Sequence, residues 1–410
     1  MDNFTHTLAG VLVGETLAQV TSPSPNGLSQ QQRRNLLVTL MAVGSNLPDL
    51  DFLSSAFQGG KLDYLIEHRG HTHTVIGALV AAALLYIACE VWCRWRRWPL
   101  VRRDRWHLAG AATLSLLLHI AMDFTNNYGV HPFWPFDNDW RYGDTIFIWE
   151  PLLWAAAAPL VFVLRTRLAR ALVASLLLAA IAACFGSGLV PVGFALLMTT
   201  LTGTMLVVGH QAPRRVALVS ALAAWLTVTA GFAIARNATE HQVRRYVAGH
   251  FPDMTVLDYV LTPMPATAVC WDVMLPMTDA NRYVIRHGTW SLWPDVLPVE
   301  HCRGRDLFRD VTAPLTPVAD EQSPIVLWHG EAVMPRTTLP RLAATHCDAA
   351  RFMRFARVPW AMQRESTWIL GDLRYDREPG LGFAEIELGT DAATCVLPPW
   401  NPPRGDLLGE

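Results

Sequence analysis

Residues 68–95 read HRGHTHTVIGALVAAALLYIACEVWCRW, a polar opening followed by a long apolar run. As a helix, the apolar run 75–92 is long enough to cross a hydrocarbon core of about 30 Å. Runs of similar length follow it at 108–124, 146–164, 168–185, 190–208 and 216–235. The first part of the chain is therefore predicted to cross a membrane several times.

Two weaker apolar runs, at 4–20 and 36–47, precede these six. The second is too short to span unaided and would need shelter among other helices. With both included, we predict a polytopic α-helical membrane domain of about eight helices over residues 1–240. The composition agrees, because the chain is 51% hydrophobic and 17% charged, whereas soluble domains carry about 25% charged residues. Its net charge of -2 argues against nucleic acid as a partner.

Arginines in the linkers predict how these helices are oriented, since cytoplasmic linkers of membrane proteins are rich in basic residues. They cluster in four alternate linkers: 33–34, 94–105, 165–170 and 214–215. If these linkers are cytoplasmic and the chain crosses eight times, both termini lie outside. The N-terminus carries Asp2 in place of a basic region, so we do not interpret it as a secretory signal.

Residues 241–410 have a different pattern. Pro and Trp separate short alternating stretches at 283–286, 325–328, 367–370 and 383–388, which are typical of antiparallel strands. We therefore predict a β-rich extracytoplasmic domain here, which the arginine pattern places in the periplasm.

Four of the seven cysteines lie in this second domain: Cys270, Cys302, Cys347 and Cys395. An even number in an oxidising compartment favours two disulfides, for which three connectivities are open. Four buried free thiols are the alternative. The other three cysteines are interpreted as packing residues.

Ionisable side chains gather at one end of the predicted helices. Such groups are costly at membrane depth and are usually functional. With the arginine-rich linkers inside, the following residues all fall at the outer ends: His6, Asp49, Asp51, His68, His73, His119, Asp123, Asp144 and Glu150. A random scatter would divide them between both ends, so their convergence indicates a site.

The residue types in this set fit a divalent metal centre. His119 and Asp123 are four residues apart and project from one face of a helix. Imidazole with carboxylate suits zinc first, with manganese and iron as alternatives. The expected ligands exceed one tetrahedral site and indicate two ions: His6, Asp49, Asp51, His68, His73, His119 and Asp123.

Two such ions would promote hydrolysis at phosphorus, because they clamp an in-line displacement. Arg69 is expected to bind a phosphoryl oxygen. Asp144 is the candidate general acid/base, although a helix N-cap explains it equally well. Taken singly, His6 and the Asp49–Asp51 pair also have simple explanations as caps. A site at the membrane edge points to a membrane lipid as the substrate.

Several motifs carry a family resemblance: MDNFTHTLAG at 1–10, NLPDLD at 46–51, HRGHTHT at 68–74, HIAMD at 119–123 and DLRY at 372–375. In these the chain resembles the bacterial inner-membrane metal-dependent hydrolases, a group described as LexA-binding, inner membrane-associated hydrolases. The resemblance implies metal-dependent hydrolysis in the inner membrane. Glu150 stands where the family has Asp, and the LexA label does not suit an outward-facing site.

Other classes remain open at this point. A looser analogy, to zinc-dependent phospholipase C, favours a phosphoester substrate but rests on residue types alone. A structural or regulatory protein with a structural metal is the main alternative. A transporter is less favoured, because the middle of each helix is mostly Leu, Ala and Val. The sequence leaves the oligomeric state open.

Overall fold

The computed structural model describes residues 1–52, 60–302, 313–318, 323–375, 381–389 and 395–409. Helices dominate the first of these ranges and the second up to residue 250. In chain order they are α1 (Asn3–Val20), α2 (Gln30–Gly44), α3 (Lys61–Glu67), α4 (Val75–Trp95), α5 (Arg102–Phe124), α6 (Pro151–Ala156), α7 (Leu160–Val163), α8 (Arg167–Gly186), α9 (Val192–Gln211) and α10 (Arg214–His250).

Five of the described helices, α4, α5, α8, α9 and α10, are long and apolar enough to cross a membrane. The predicted membrane character is confirmed, whereas the predicted count of about eight crossings is not. The first two apolar runs do form helices, which begin at the Asp2 cap and at a capping box between Ser29 and Gln32. Both pack against α5 and against each other, and this supplies the shelter that the short second run needs.

The apolar run 146–164 does not form one helix. It is divided into the short helices α6 and α7, which lie on either side of a turn that contains Pro159. Proline has no N–H to donate and disfavours helical backbone in the residue before it, so the helix is interrupted there.

Ion pairs tie the helices together at the arginine-rich end. Glu15 of α1 is fully buried and pairs with Arg34 of α2 and with Arg214 at the start of α10. Arg214 also donates to the carbonyl oxygen of Val163 at the end of α7, at 2.5 Å. Moving one helix away would leave a buried charge without its partner, which is costly. These pairs therefore fix the helices relative to one another.

The last helix of this group, α10, extends well past the membrane. Its 37 residues span about 55 Å at 1.5 Å per residue, against about 30 Å for a hydrocarbon core. Near its C-terminal end, Val243 and Val247 pack against Trp271 and Trp290 of the second domain. The predicted boundary between residues 240 and 241 falls inside this helix, so a division at that point stays a prediction.

A β-rich region follows, as predicted. Its described strands are β1 (Thr255–Val256), β2 (Val260–Met264), β3 (Thr267–Thr278), β4 (Arg282–Ser291), β5 (Val326–Pro335), β6 (Pro359–Arg364), β7 (Thr367–Asp372) and β8 (Glu385–Glu387). One antiparallel sheet has the order β1-β3-β4-β5 with β2 beside β3, and a second has the order β6-β7-β8. Three short α-helices accompany them within the described residues: α11 (Thr338–Thr345), α12 (Cys347–Met353) and α13 (Gly405–Leu408).

The β-rich region is held against the loops that follow α5. Arg357, which precedes β6, donates to both carboxylate oxygens of Asp144 at 2.7 and 2.8 Å, and to Asp258 at 2.8 Å. Burial favours the neutral form of Asp258, but Arg357 outweighs it and lowers the pKa of Asp258 to about 2. Nearby, Glu150 accepts a hydrogen bond from the backbone N–H of Ala266 at 3.2 Å. The two halves of the chain are therefore joined at this end of the helices.

Two disulfides lie in the β-rich region, Cys270–Cys302 and Cys347–Cys395. Of the three connectivities that the sequence left open, mass spectrometry of unreduced peptides should detect this one. Reduction should destabilise the region by about 4 kcal/mol per bond in the chain-entropy model, because each bond closes a loop of several tens of residues.

The matched control for this measurement is the set of buried free thiols at Cys89, Cys93 and Cys184. They should react with an alkylating agent only after denaturation, with or without reductant. Either of the other two pairings would contradict the prediction. So would alkylation of Cys270, Cys302, Cys347 and Cys395 in the denatured protein without reductant.

Candidate metal centre

Four side chains converge at the end of the helical domain where α5 ends. Asp49, His73, His119 and Asp123 are all buried, and one ligand atom from each lies within 4.8 Å of the others. His119 and Asp123 stand one turn apart at the end of α5, as their spacing predicts. Asp49 lies in the 3-10 turn Pro48–Asp51 after α2, and His73 ends the turn His71–His73 before α4.

The distances within this group match a tetrahedral metal site. The Nε2 atom of His73 lies 3.0 Å from Nε2 of His119, 3.4 Å from Oδ1 of Asp49 and 3.2 Å from Oδ2 of Asp123. Nε2 of His119 is 3.5 Å from each of the same carboxylate oxygens. Ligands bound to zinc at about 2.0–2.1 Å stand about 3.3 Å apart at tetrahedral angles. Five of the six pairs are therefore spaced as ligands around one ion, and the sixth pair, the Asp49 and Asp123 oxygens, lies within 4.8 Å.

The protonation state of His119 is determined by its other nitrogen. Nδ1 lies 2.8 Å from the carbonyl oxygen of Ser45, which accepts only, so Nδ1 carries the hydrogen. In the neutral ring, Nε2 then presents a lone pair to the other three ligand atoms. Close packing of α2 on α5 holds Ser45 in this position. The adjacent Gly44 lies so near α5 that a Cβ on it would be 1.8 Å from Oγ of Ser115.

His73 is oriented by Asp51 in the same way. Its Nδ1 lies 3.0 Å from the hydroxyl of Thr72, which donates to Oδ2 of Asp51, and 3.3 Å from that carboxylate oxygen itself, so Nε2 faces the group. Burial opposes a charge on His73, but the carboxylates of Asp123, Asp49 and Asp51 outweigh it and raise the pKa of His73 to about 10. The surroundings thus favour positive charge at this point, which a divalent cation supplies. A further sign is that Oδ2 of Asp123 is buried without a hydrogen-bond donor among the described residues.

The second oxygen of Asp123, Oδ1, has three polar neighbours of its own. It lies 3.1 Å from a guanidinium nitrogen of Arg69 and 3.2 Å from Nε2 of His6, and it is in contact with the amino group of Met1. The His6 ring also stacks on the ring of His119 at 4.0 Å between centroids. These contacts hold the Asp123 carboxylate with Oδ2 toward the other ligand atoms.

Arg69 is buried and engaged by backbone as well as by Asp123. One of its terminal nitrogens lies within hydrogen-bond distance of Oδ1 of Asn126, at 3.1 Å, and of the carbonyl oxygens of Asp123 and Gly129, at 3.3 and 3.2 Å. Its own backbone N–H donates to Asp51 at 3.0 Å, and its φ of 64° lies in the left-handed region. Such a conformation persists where the surroundings determine it fully, and functional sites are typical places for it.

The seven predicted ligands thus separate into two groups. Four of them, Asp49, His73, His119 and Asp123, face one another. The other three lie beside this group and contact its members or their partners: His6, Asp51 and His68. His68 contacts Asp51 at 2.9 Å between Nδ1 and Oδ1, so the pair supports His73.

Asp144, the candidate general acid/base, is placed differently. It is fully buried, and both of its oxygens accept hydrogen bonds from Arg357. This arrangement joins the two halves of the chain and favours a structural role.

Residues of the β-rich region cover the site. The Tyr128 ring, which lies 4.6 Å from the Arg69 guanidinium, packs against Phe355 and Tyr375 at 5.2 and 5.8 Å between centroids. The ring centroid of Trp400 lies 5.6 Å from that of His71, and His71 belongs to the same turn as His73. Sequence reasoning missed these covering residues, because no local pattern connects aromatic side chains so far apart in the chain.

The N-terminal part of the chain has recognisable relatives. Residues 1–192 match the model of the YdjM inner membrane protein family. The resemblance to an inner-membrane family found in the sequence is thereby confirmed for this part, which contains all four converging residues. The chain is also similar to the uncharacterized protein YfhP of Bacillus subtilis, with 27% identity over 159 residues, 37% of this chain and 43% of that protein. The match thus spans less than half of the relative's length. No solved structure matches the chain.

Metal binding tests this assignment directly. In the purified full chain, His119→Ala or Asp123→Ala should remove nearly all bound divalent metal, because each removes one of the four ligands. Inductively coupled plasma mass spectrometry of the wild type and both variants measures this.

His107→Ala is the matched control. His107 lies on the same helix, twelve residues before His119, which is about 18 Å along the axis. This variant should retain its metal. A wild-type protein that stays metal-free after incubation with zinc, manganese and iron, or equal losses in all three variants, would refute the site.

Proposed function

We propose that the protein is a membrane-embedded metal-dependent hydrolase that cleaves a phosphoester of a membrane lipid at the outer face. The observation that carries the proposal is the convergence of two imidazole nitrogens and two carboxylate oxygens, 3.0–3.5 Å apart across the measured pairs. Such a donor set suits zinc, manganese or iron. When bound, an ion of this kind lowers the pKa of a coordinated water and polarises a phosphoryl oxygen.

Asp49 marks the side from which water and substrate reach the site. Its side chain is 11% exposed, whereas the side chains of His73, His119 and Asp123 are 0% exposed. An open coordination position is therefore expected next to Asp49. The other three ligands are enclosed by protein and serve to hold the ion.

Arg69 is proposed to act on both ligand and substrate. It holds Asp123 through one terminal nitrogen, while its Nε is buried without a hydrogen-bond acceptor among the described residues. In the proposed complex, that N–H would donate to a non-bridging phosphoryl oxygen. We leave Asp144 out of the chemistry, since Arg357 engages both of its oxygens.

The proposal needs one ion in the four-residue group. A second ion, which the sequence predicted, would have to use His6, Asp51 and His68. In the described structure these residues hydrogen-bond to the ligands or to one another, so they fit an orienting role better.

A purely structural metal site is the second candidate, and one observation favours it. Four protein ligands fill a tetrahedral zinc site, as in structural zinc proteins, whereas catalytic zinc keeps one position for water. Manganese and iron commonly accept more than four ligands. X-ray absorption spectroscopy of the metal-loaded protein separates the two functions, because five or six ligands including water support the enzyme and four support the structural site.

Hydrolysis is the decisive measurement. Metal-loaded protein in detergent or nanodiscs should release phosphate or a phosphorylated head group from a phospholipid or isoprenoid phosphate panel. A chelator should abolish the release, and Asp49→Ala should reduce it by at least about a hundredfold, by analogy with the loss of other preorganised charge stabilisation.

His107→Ala, which lies far from the group, should keep full activity. If metal-loaded protein turned over no lipid or soluble phosphoester in such a panel, the enzyme proposal would fall and the structural site would remain.

The outer location can be tested separately by topology. We expect the arginine-rich linker 94–105 in the cytoplasm and the β-rich region in the periplasm of a bacterial inner membrane, because arginines flank alternate ends of the helices. An alkaline phosphatase fusion at the C-terminal end should be active, and one at residue 100 should be inactive. Fluorescent-protein fusions at the same positions should show the reverse, and the opposite result would overturn the orientation.

A further inference from the structure

An apolar cavity of ≈ 300 Å³ lies beside the four-residue group, between α1, α5, α6 and α10. Its walls include Leu12, Leu118, Met122, Leu153 and Trp225. Two of the enclosing helices, α5 and α10, are of membrane length. The cavity therefore belongs to the part of the protein that faces the hydrocarbon core.

The chemistry of the walls excludes a polar occupant. The lining has two hydroxyl groups, on Thr125 and Thr229, and both donate to backbone carbonyls of their own segments: Thr125 to Met122 at 2.6 Å, and Thr229 to Trp225 at 3.0 Å. None of the described lining residues has a charged side chain, and the amino group of Met1, which also lines the cavity, is paired with Asp123. A cavity of this kind stays dry and takes up apolar molecules.

The position of the cavity connects it to the metal centre. Met122 and Thr125, which flank Asp123 in sequence, both line it. On α5 the lining continues inward to Leu118, seven residues before Thr125, which is about 10 Å along the helix. The cavity thus extends from the level of the metal ligands into the membrane.

We propose that this cavity binds a hydrocarbon chain, acyl or isoprenoid, of a membrane lipid whose phosphoester lies at the metal centre. The identity of the lipid as a substrate rests on the proposed function, whereas the binding of the chain does not. The volume is roughly twice that of an engineered cavity that binds benzene, so it accepts on the order of ten carbon atoms. The apolar walls bind the chain, and the adjacent ligands at the outer end receive the head group.

Photo-crosslinking in nanodiscs tests the proposal on the full chain. The probe is a phosphatidylglycerol with a diazirine near the end of one acyl chain. Labelled peptides, identified by mass spectrometry, should concentrate on the lining segments of α1, α5 and α10. Leu222→Trp, which fills the cavity from α10, should reduce this labelling about tenfold, the effect of losing roughly two buried methylene contacts.

Leu178→Trp is the matched control, because Leu178 is an exposed residue of α8 outside the cavity lining, and it should leave the labelling unchanged. If Leu222→Trp does not fold, Ala121→Trp fills the same cavity from α5. Even labelling of all membrane-facing helices, with no effect of a folded cavity-filling variant, would overturn the proposal.

The experiment is also informative about the proposed function. Labelling should persist in His119→Ala, since chain binding needs no metal. Specific labelling without hydrolysis would reject only the enzyme, and hydrolysis without specific labelling would reject only the cavity.

Discussion

The close contact between α2 and α5 is the constraint on which the site depends. Gly44 leaves no room for a side chain against Ser115, and the next residue, Ser45, therefore presents its carbonyl oxygen to His119. That hydrogen bond determines which nitrogen of His119 faces the other ligands. Helix packing and this hydrogen bond thus fix the end of α2 and the ring of His119 without the help of an ion. A larger residue at position 44 would separate the helices and withdraw Asp49, which follows α2 by a few residues.

Much of this arrangement could be predicted from local sequence. The four-residue spacing of His119 and Asp123 puts both on one helical face, and the arginine pattern brings Asp49 and His73 to the same end. Which residues are ligands and which orient the ligands could not be predicted. Asp49 and Asp51 lie in the same short turn, and they differ only in the direction that their side chains take. The same holds for His73 and His68, which flank a left-handed residue.

Contacts between residues far apart in the chain could not be predicted from the sequence. Arg357 and Asp144 are 213 residues apart, and no periodicity links them, so Asp144 alone looked like a cap or an acid/base residue. The divided run 146–164 is a different case, since Pro159 is a visible signal against a continuous helix. Its composition suggested a crossing, whereas its proline indicated the interruption that the structure has.

The length of α10 has a mechanical consequence. Isolated membrane helices tilt when the bilayer becomes thinner or thicker. This one is continuous into the β-rich region, where Val243 and Val247 pack against the sheet, and that region is joined through Arg357 to the loop that carries Asp144. If the membrane part of α10 tilts, the part beyond the membrane, which is about 25 Å long, tilts with it. A change in bilayer thickness would thus be felt by the loop that carries Asp144, and not by α10 alone.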